Sequence, residues 1–207
     1  MTDIYLIRHG ESESNKVDRF AGMTDFPLSE LGLKQAAITA ARLKNYGIQA
    51  IYSSPLKRAR QTAEALARET GLEITDVYDL HEVDCGKWEG IPFDEIQRLY
   101  PEDIYNWVNC IGDFRPTGGE SKTEVRARMK AAMTKIAEEN DGKIIAVASH
   151  ASAIRGFVTE VSGVEYGDFK YMSNAAFCHL TYENGRFTLV EYNINDHLSG
   201  LLTVPRY

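Results

Sequence analysis

"IYLIRHGES", residues 4–12, decides how the rest of the chain is read. Four β-branched, aromatic or apolar residues mark a buried strand, which is then cut off by an arginine, a histidine and a glycine. Two later runs end in the same manner: "IYSSPLKR" at residues 51–58 leads to Arg58, and "IAVASHA" at residues 145–151 leads to Ser149 and His150. Ligands of open parallel sheets gather beyond the carboxyl ends of the strands, so the three polar tails are expected to meet at one sheet edge.

Strand-like runs fall at residues 4–7, 50–52, 74–78, 144–148, 177–182 and 187–192. Asn184-Gly185 between the last two signals a hairpin. Leu33, Ala36, Ala37, Ala40 and Leu43 share one helical face, with Ser29 as cap and Gly47 as stop. A second helix is expected to start at Ser54-Pro55, to carry Ala59, Thr62, Ala63 and Leu66 on one face, and to stop at Gly71. A third opens on the capping box Ser121–Glu124 and runs through Val125, Met129, Ala132, Met133 and Ile136 toward Gly142. Alternating strands and helices predict an α/β fold with a doubly wound, mostly parallel sheet flanked by helices and a C-terminal hairpin at the sheet edge. The chain, 1–207, reads as a single domain, with the proline- and aromatic-rich residues 81–120 as a small helical lid or subdomain insertion.

Arg8, Arg58, His9, His150 and a helix N-terminus at one edge would make a compact anion site, because guanidinium groups grip phosphate through forked hydrogen bonds. Gly10 is expected to let the backbone turn closely around that anion. The chain has no G-x-x-x-x-G-K-[ST] loop, no cysteine with an arginine six positions on, and no tight Asp or His cluster for two metals. A histidine nucleophile remains. Its ordinary pKa of about 6.5 leaves it largely neutral at neutral pH, and the adjacent arginines would hold it so.

These residues resemble the histidine phosphatases, the phosphoglycerate-mutase-like superfamily. The resemblance rests on "LIRHGESESN" at 6–15, "DFPLSELGLKQA" at 25–36, "SSPLKRARQTA" at 53–63, "LHEVDCGKWEG" at 80–90, "TGGES" at 117–121 and "SHA" at 149–151; the "HL" of His197-Leu198 is similar as well. It implies that His9 attacks phosphorus and becomes a phosphohistidine. Arg8, Arg58, His150 and Asn15 would hold the phosphoryl oxygens, and Gly22 and Ala151 would contribute backbone contacts. Glu82 would protonate the leaving oxygen and later activate water, with no metal and no cofactor. Ala151 stands where many members have glycine, and Ala21 where a polar residue is common.

The leading function is a metal-independent phosphomonoesterase acting on a small phosphorylated metabolite. A cofactor-dependent phosphoglycerate mutase is the alternative, disfavoured by the short stretch between Glu82 and Gly118. A non-catalytic phospho-ligand-binding protein is a further alternative, disfavoured because His9 and Glu82 are both present. A formal charge of -7, with no basic block at either end, argues against a nucleic-acid or anionic-membrane binder, so any anion site is expected to be local. No run approaches the ~18 apolar residues of a membrane span, and the first residues read as a strand, so an unprocessed, soluble, cytoplasmic chain is expected. Cys85, Cys110 and Cys178 are too far apart for a zinc or redox pair and suit reduced thiols. A homo-oligomer is compatible with the sequence. His81 is expected to be solvated or oriented, His179 structural, and Trp88 and Glu89 to pack the loop behind Glu82. Arg126 and Arg128 are assigned to a solvent-facing helix surface.

Overall fold

The computed structural model describes residues 1–109, 111–165, 168–169 and 171–203. In chain order they form β1 (Thr2–Arg8), α1 (Glu13–Lys16), α2 (Glu30–Leu43), β2 (Ala50–Ser53), α3 (Lys57–Thr70), β3 (Ile74–Asp76), α4 (Phe93–Leu99), α5 (Pro101–Val108), α6 (Lys122–Glu139), β4 (Ile144–Ser149), α7 (Ala151–Ser162), β5 (Phe177–Glu183) and β6 (Arg186–Ile194). The strands make one sheet in the order β3-β2-β4-β1-β5-β6. The first four are parallel, and β5 and β6 are added antiparallel as an edge hairpin. Asn184 (φ 50°) and Gly185 (φ 78°) both take the left-handed conformation that a tight two-residue hairpin turn demands.

Central β1 is buried on both faces, as a strand in a parallel sheet should be. Its period of two divides it between two cores: Ile4 and Leu6 join Met129, Met133 and Phe157 of α6 and α7, while Ile7 joins Ala36, Ala40, Leu43 and Leu66 of α2 and α3. The register pairs Arg8 with Ser149 and Ser53 with Ala148, so β1, β4 and β2 end level with one another. That alignment brings the three polar tails together.

The helix punctuation follows the side chains. Ser29 caps α2 through the N–H of Gly32 at 3.0 Å, Ser121 and Glu124 form the capping box of α6, and Gly71 closes α3 at φ 73°. Ser54 does not cap α3. The helix begins at Lys57 behind Leu56, and the Ser54 hydroxyl is held instead by His150 Nε2 at 2.8 Å. β3 is also shorter than its pattern: after Val77 N–H meets the Ser53 carbonyl, the chain tightens into a 3-10 turn at Tyr78–Leu80.

Residues 81–120 pack around Trp88, which is 1% exposed and meets the rings of Phe20, Tyr100, Trp107 and Phe114 at centroid distances of 5.5, 6.4, 6.1 and 5.9 Å. Cys85 and Cys178 are buried free thiols, and Cys110 lies outside the described residues. No helix among the described residues is long and apolar enough to cross a membrane.

Candidate active site

Arg8 is the last residue of β1, and its backbone continues the ladder through Ala176 O. Its guanidinium is buried, donating to the Met172 carbonyl and to the Tyr171 hydroxyl at 2.6 Å, with Nε left unpartnered. His9 is 4% exposed. Its backbone N–H bonds Ser149 O at 3.0 Å, and its carbonyl accepts from Ala175 N–H at 3.1 Å and Asn174 Nδ2 at 3.2 Å. The ring is fixed by Nδ1, 2.6 Å from Gly10 O. A carbonyl can only accept, so this bond assigns the proton to Nδ1 and leaves the lone pair on Nε2.

The glycine after His9 answers to a different neighbour from the one expected. A Cβ on Gly10 would lie 2.5 Å from Gly32 O, so its missing side chain admits the first turn of α2.

Arg58, in the first turn of α3, is 1% exposed. It donates to Ala21 O at 3.0 Å, Gly22 O at 2.7 Å and Thr24 O at 2.9 Å. Glu89 secures that loop from the other side, accepting from Met23 N–H at 2.8 Å, Thr24 N–H at 3.1 Å and the Thr24 hydroxyl at 2.6 Å. Gly22 admits no side chain, since a Cβ would sit 1.9 Å from Val83 O.

Glu82 is buried against the N-terminus of α7. One carboxylate oxygen accepts from Val83 N–H at 2.9 Å and Ala153 N–H at 3.0 Å; the other accepts from Ser152 N–H at 3.1 Å. The dipole and free N–H groups of a helix start suit a carboxylate there. His150, the residue before α7, is fully buried, and its ring centroid lies 5.2 Å from that of His9. The Ser54 oxygen accepts from Leu56 N–H at 3.3 Å and lies 2.8 Å from His150 Nε2, while His150 Nδ1 has no partner.

A cleft of about 1240 Å³ opens over these groups, with Arg8, His9, Asn15, Arg58, Glu82 and Ala151 on its wall. Gly22 and His150 are not on that wall, though their neighbours Ala21 and Ala151 are. Asn15 turns its Oδ1 toward Ser12 N–H at 3.1 Å and Asn174 Nδ2 at 3.3 Å. The far wall contains Phe20, Phe93, Ile104, Tyr105 and Trp107. No group of three or more His, Cys, Asp or Glu side chains that could hold a metal is gathered among the described residues.

Sequence pattern did not find Ser54, Arg128, Glu120, Asn174 or Tyr171. Arg128 is the correction with most consequence, for it is 13% exposed and bonds the loop that carries Glu82. A signal was present: it lies three residues after Val125 and four before Ala132, on the buried stripe of α6. His81 is buried, with Nδ1 against Glu82 O at 2.6 Å, and His179 is held by Asp3 at 3.0 Å.

Burial, then the charges of Arg58 and Arg8, push the His9 pKa well below the ordinary imidazole value; burial, Arg58 and His9 do the same to His150. A histidine depressed in the folded state binds its proton more readily when unfolded. Its stabilising effect is therefore complete above the unfolded pKa and is lost as pH falls from there toward the folded value. Each such histidine contributes a slope of up to about 1.4 kcal/mol per pH unit in that range. Urea denaturation should show stability declining from pH 7 to pH 5, with a shallower decline in His9→Gln. An unchanged slope in that variant would contradict a depressed His9.

The family model of the histidine phosphatase superfamily, branch 1, matches residues 4–195. A Bacillus subtilis (strain 168) protein named uncharacterized phosphatase PhoE is 32% identical over 98% of this chain and 100% of its own length. Phosphoserine phosphatase 1 of Hydrogenobacter thermophilus is 34% identical over 96% of this chain and 95% of its own. Among solved structures, a mycobacterial glucosyl-3-phosphoglycerate phosphatase in complex with VO3 superimposes with a TM-score of 0.87 at 27% identity, over 93% of this chain and 98% of that one. With nearly its whole length matched by the family model, the chain belongs to the histidine phosphatase superfamily, branch 1.

Proposed function

We propose that the protein hydrolyses small phosphate monoesters through a phosphohistidine on His9, with Glu82 as proton donor and then as base. The observation that carries this reading is the state of His9: a desolvated imidazole with its Nδ1 proton anchored on Gly10 O and Nε2 unencumbered, set among the cations Arg8 and Arg58. Nε2 attacks phosphorus while the bond to the leaving oxygen breaks, and Glu82 gives its proton to that oxygen. A water molecule then attacks phosphorus and passes a proton to Glu82. The P–N bond breaks, phosphate leaves, and His9 returns to neutral imidazole.

Arg8 and Arg58 would stabilise the charge on the transferring group, as preorganised donors do in phosphoryl transfer. The Ser54 oxygen already accepts from Leu56 N–H, so its own proton can go to His150 Nε2. That leaves an N–H on His150 Nδ1 as a further donor for phosphoryl oxygens. Asn15 and the backbone at Gly22 and Ala151 complete the cradle, Gly22 by fixing Arg58.

The substrate is small, anionic and tolerant of apolar surface. Arg8, Arg19, Arg58, Lys122 and Arg155 all line the cleft of an otherwise acidic protein, and its far wall is aromatic. The names of similar proteins, phosphoserine phosphatase and glucosyl-3-phosphoglycerate phosphatase, fit this class. A panel of phosphoserine, 3-phosphoglycerate, sugar phosphates and p-nitrophenyl phosphate, assayed with EDTA present, tests the reading. Release of inorganic phosphate is the expected result. Turnover lost to EDTA, or phosphoglycerate interconversion dependent on bisphosphoglycerate with little phosphate released, would overturn it.

A further inference from the structure

The loop that carries Glu82 is gripped from the side opposite its carboxylate. Arg128 of α6 donates Nη1 to Asp79 O and His81 O, both at 2.8 Å, and Nη2 to Glu82 O at 3.0 Å. Nε and Nη2 also form a forked pair with Glu120, at 2.8 and 2.9 Å. All five N–H donors of the guanidinium are thereby engaged. Glu120 extends the grip, accepting from Asp84 N–H at 2.9 Å, while its own N–H donates to Asp84 O at 2.9 Å. The two side chains are 13% and 21% exposed, so solvent screens the pair weakly. Every Arg128 bond among the described residues goes to the 79–82 loop or to Glu120, and none goes to Arg8, His9 or Arg58.

We propose that Arg128 and Glu120 are a positioning pair that sets the Glu82 carboxyl at the height of the leaving oxygen. Proton delivery, rather than phosphate binding, then depends on them. The proposal rests on the reading of Glu82 as proton donor. The carboxylate is anchored to α7 at one end of its residue, and its backbone carbonyl is anchored to α6 at the other. Releasing the α6 anchor frees the carbonyls of Asp79, His81 and Glu82, while the side-chain bonds that hold Arg8, Arg58 and His9 are left intact. A misplacement of about 1 Å at a reacting group is enough to cost roughly a hundredfold in rate.

The experiment compares Arg128→Met, Arg128→Lys and Glu120→Gln with the parent on two substrates of similar size, p-nitrophenyl phosphate and 2-phenylethyl phosphate. Only the alkyl leaving group needs a proton. Expected for Arg128→Met is a fall in kcat/KM, which reports the step that expels the leaving group, of about 10- to 100-fold on 2-phenylethyl phosphate and less than about 3-fold on p-nitrophenyl phosphate, with the affinity for inorganic phosphate little changed. Arg128→Lys keeps the charge but not the planar fork, and should recover little of the loss. If Arg128→Met does not fold, Arg128→Lys and Glu120→Gln carry the same comparison. Combined with Glu82→Gln, each substitution should leave the ratio between the two substrates where Glu82→Gln alone puts it.

Equal losses of kcat/KM on both substrates, or weakened binding of inorganic phosphate at unchanged kcat, would overturn the positioning role. So would full recovery by lysine. A normal leaving-group effect in Glu82→Gln alongside equal losses in the Arg128 variants removes only the positioning pair. Absence of that effect in Glu82→Gln itself removes the donor reading and the pair together.

Discussion

His9→Ala is expected to lower kcat by roughly 10⁴-fold or more and to abolish acid-labile labelling of the protein by substrate phosphate. The size follows from the site. Nε2 of His9 is the proposed nucleophile, and the neighbouring imidazole cannot replace it. His150 is wholly buried, with Nε2 engaged by Ser54. Folding should survive, because the contacts that hold this segment are made by its backbone: His9 N–H to Ser149 O, and Ala175 N–H and Asn174 Nδ2 to His9 O. Removal of a depressed histidine also relieves the acid-side loss of stability. Phosphate binding should persist, since Arg8 and Arg58 remain. Rapid quench with labelled substrate, run beside a phosphate-binding titration, separates these effects. Labelling that persists in the variant would require another nucleophile.

The level ends of β1, β2 and β4 explain why so much was legible in the sequence. Each strand is a short apolar run, and each gives way at its carboxyl end to polar residues: Arg8-His9, Ser53-Ser54 and Ser149-His150. Arg8, Arg58 and His150 are therefore marked by their position after a run. Caps were legible for the same local reason, since Ser29, Ser121 and Gly71 satisfy or end a helix within four residues of themselves. Ser54 had the local form of a cap, yet it was captured by a histidine 96 residues away. The local bond of Ser54, to Leu56 N–H, stays outside the helix, which starts only at Lys57.

Glu82 had no local signal at all. It is one acid among 30 acidic residues, and what distinguishes it, burial on the first N–H groups of α7, is a contact across 70 residues. Only the family resemblance singled it out. Arg128 and Glu89 were misjudged or undervalued for a related reason. Charged side chains are exposed by default, and the departure from that default lies in which backbone carbonyls or N–H groups a distant loop presents. The interruption of the α6 stripe by Arg128 was a usable clue. Its meaning depended on residues 79–82, which no periodicity places beside it.

Glu82→Gln is expected to lower kcat/KM on 2-phenylethyl phosphate by roughly 10²- to 10⁴-fold, the usual range for removal of a general acid, and on p-nitrophenyl phosphate by less than about tenfold. The substitution preserves shape and replaces one carboxylate oxygen with an NH₂ group. Val83, Ser152 and Ala153 all present N–H groups to that carboxylate, so the amide keeps one good acceptor and sets its NH₂ against a donor. A modest stability loss follows from that clash, and it should be the same whichever substrate is assayed. The kinetic loss should not be. An alkoxide leaves only with a proton, whereas nitrophenolate is a stable anion at neutral pH, so the transition state for its departure asks little of residue 82. The second step gives an independent reading: water attack on the phosphohistidine needs a base whatever group departed. Glu82→Gln should therefore accumulate labelled protein with p-nitrophenyl phosphate, visible as a burst of nitrophenolate before a slow steady state. A uniform loss on both substrates without a burst would remove Glu82 from both proton transfers and leave the carboxylate as the anchor of its loop to α7.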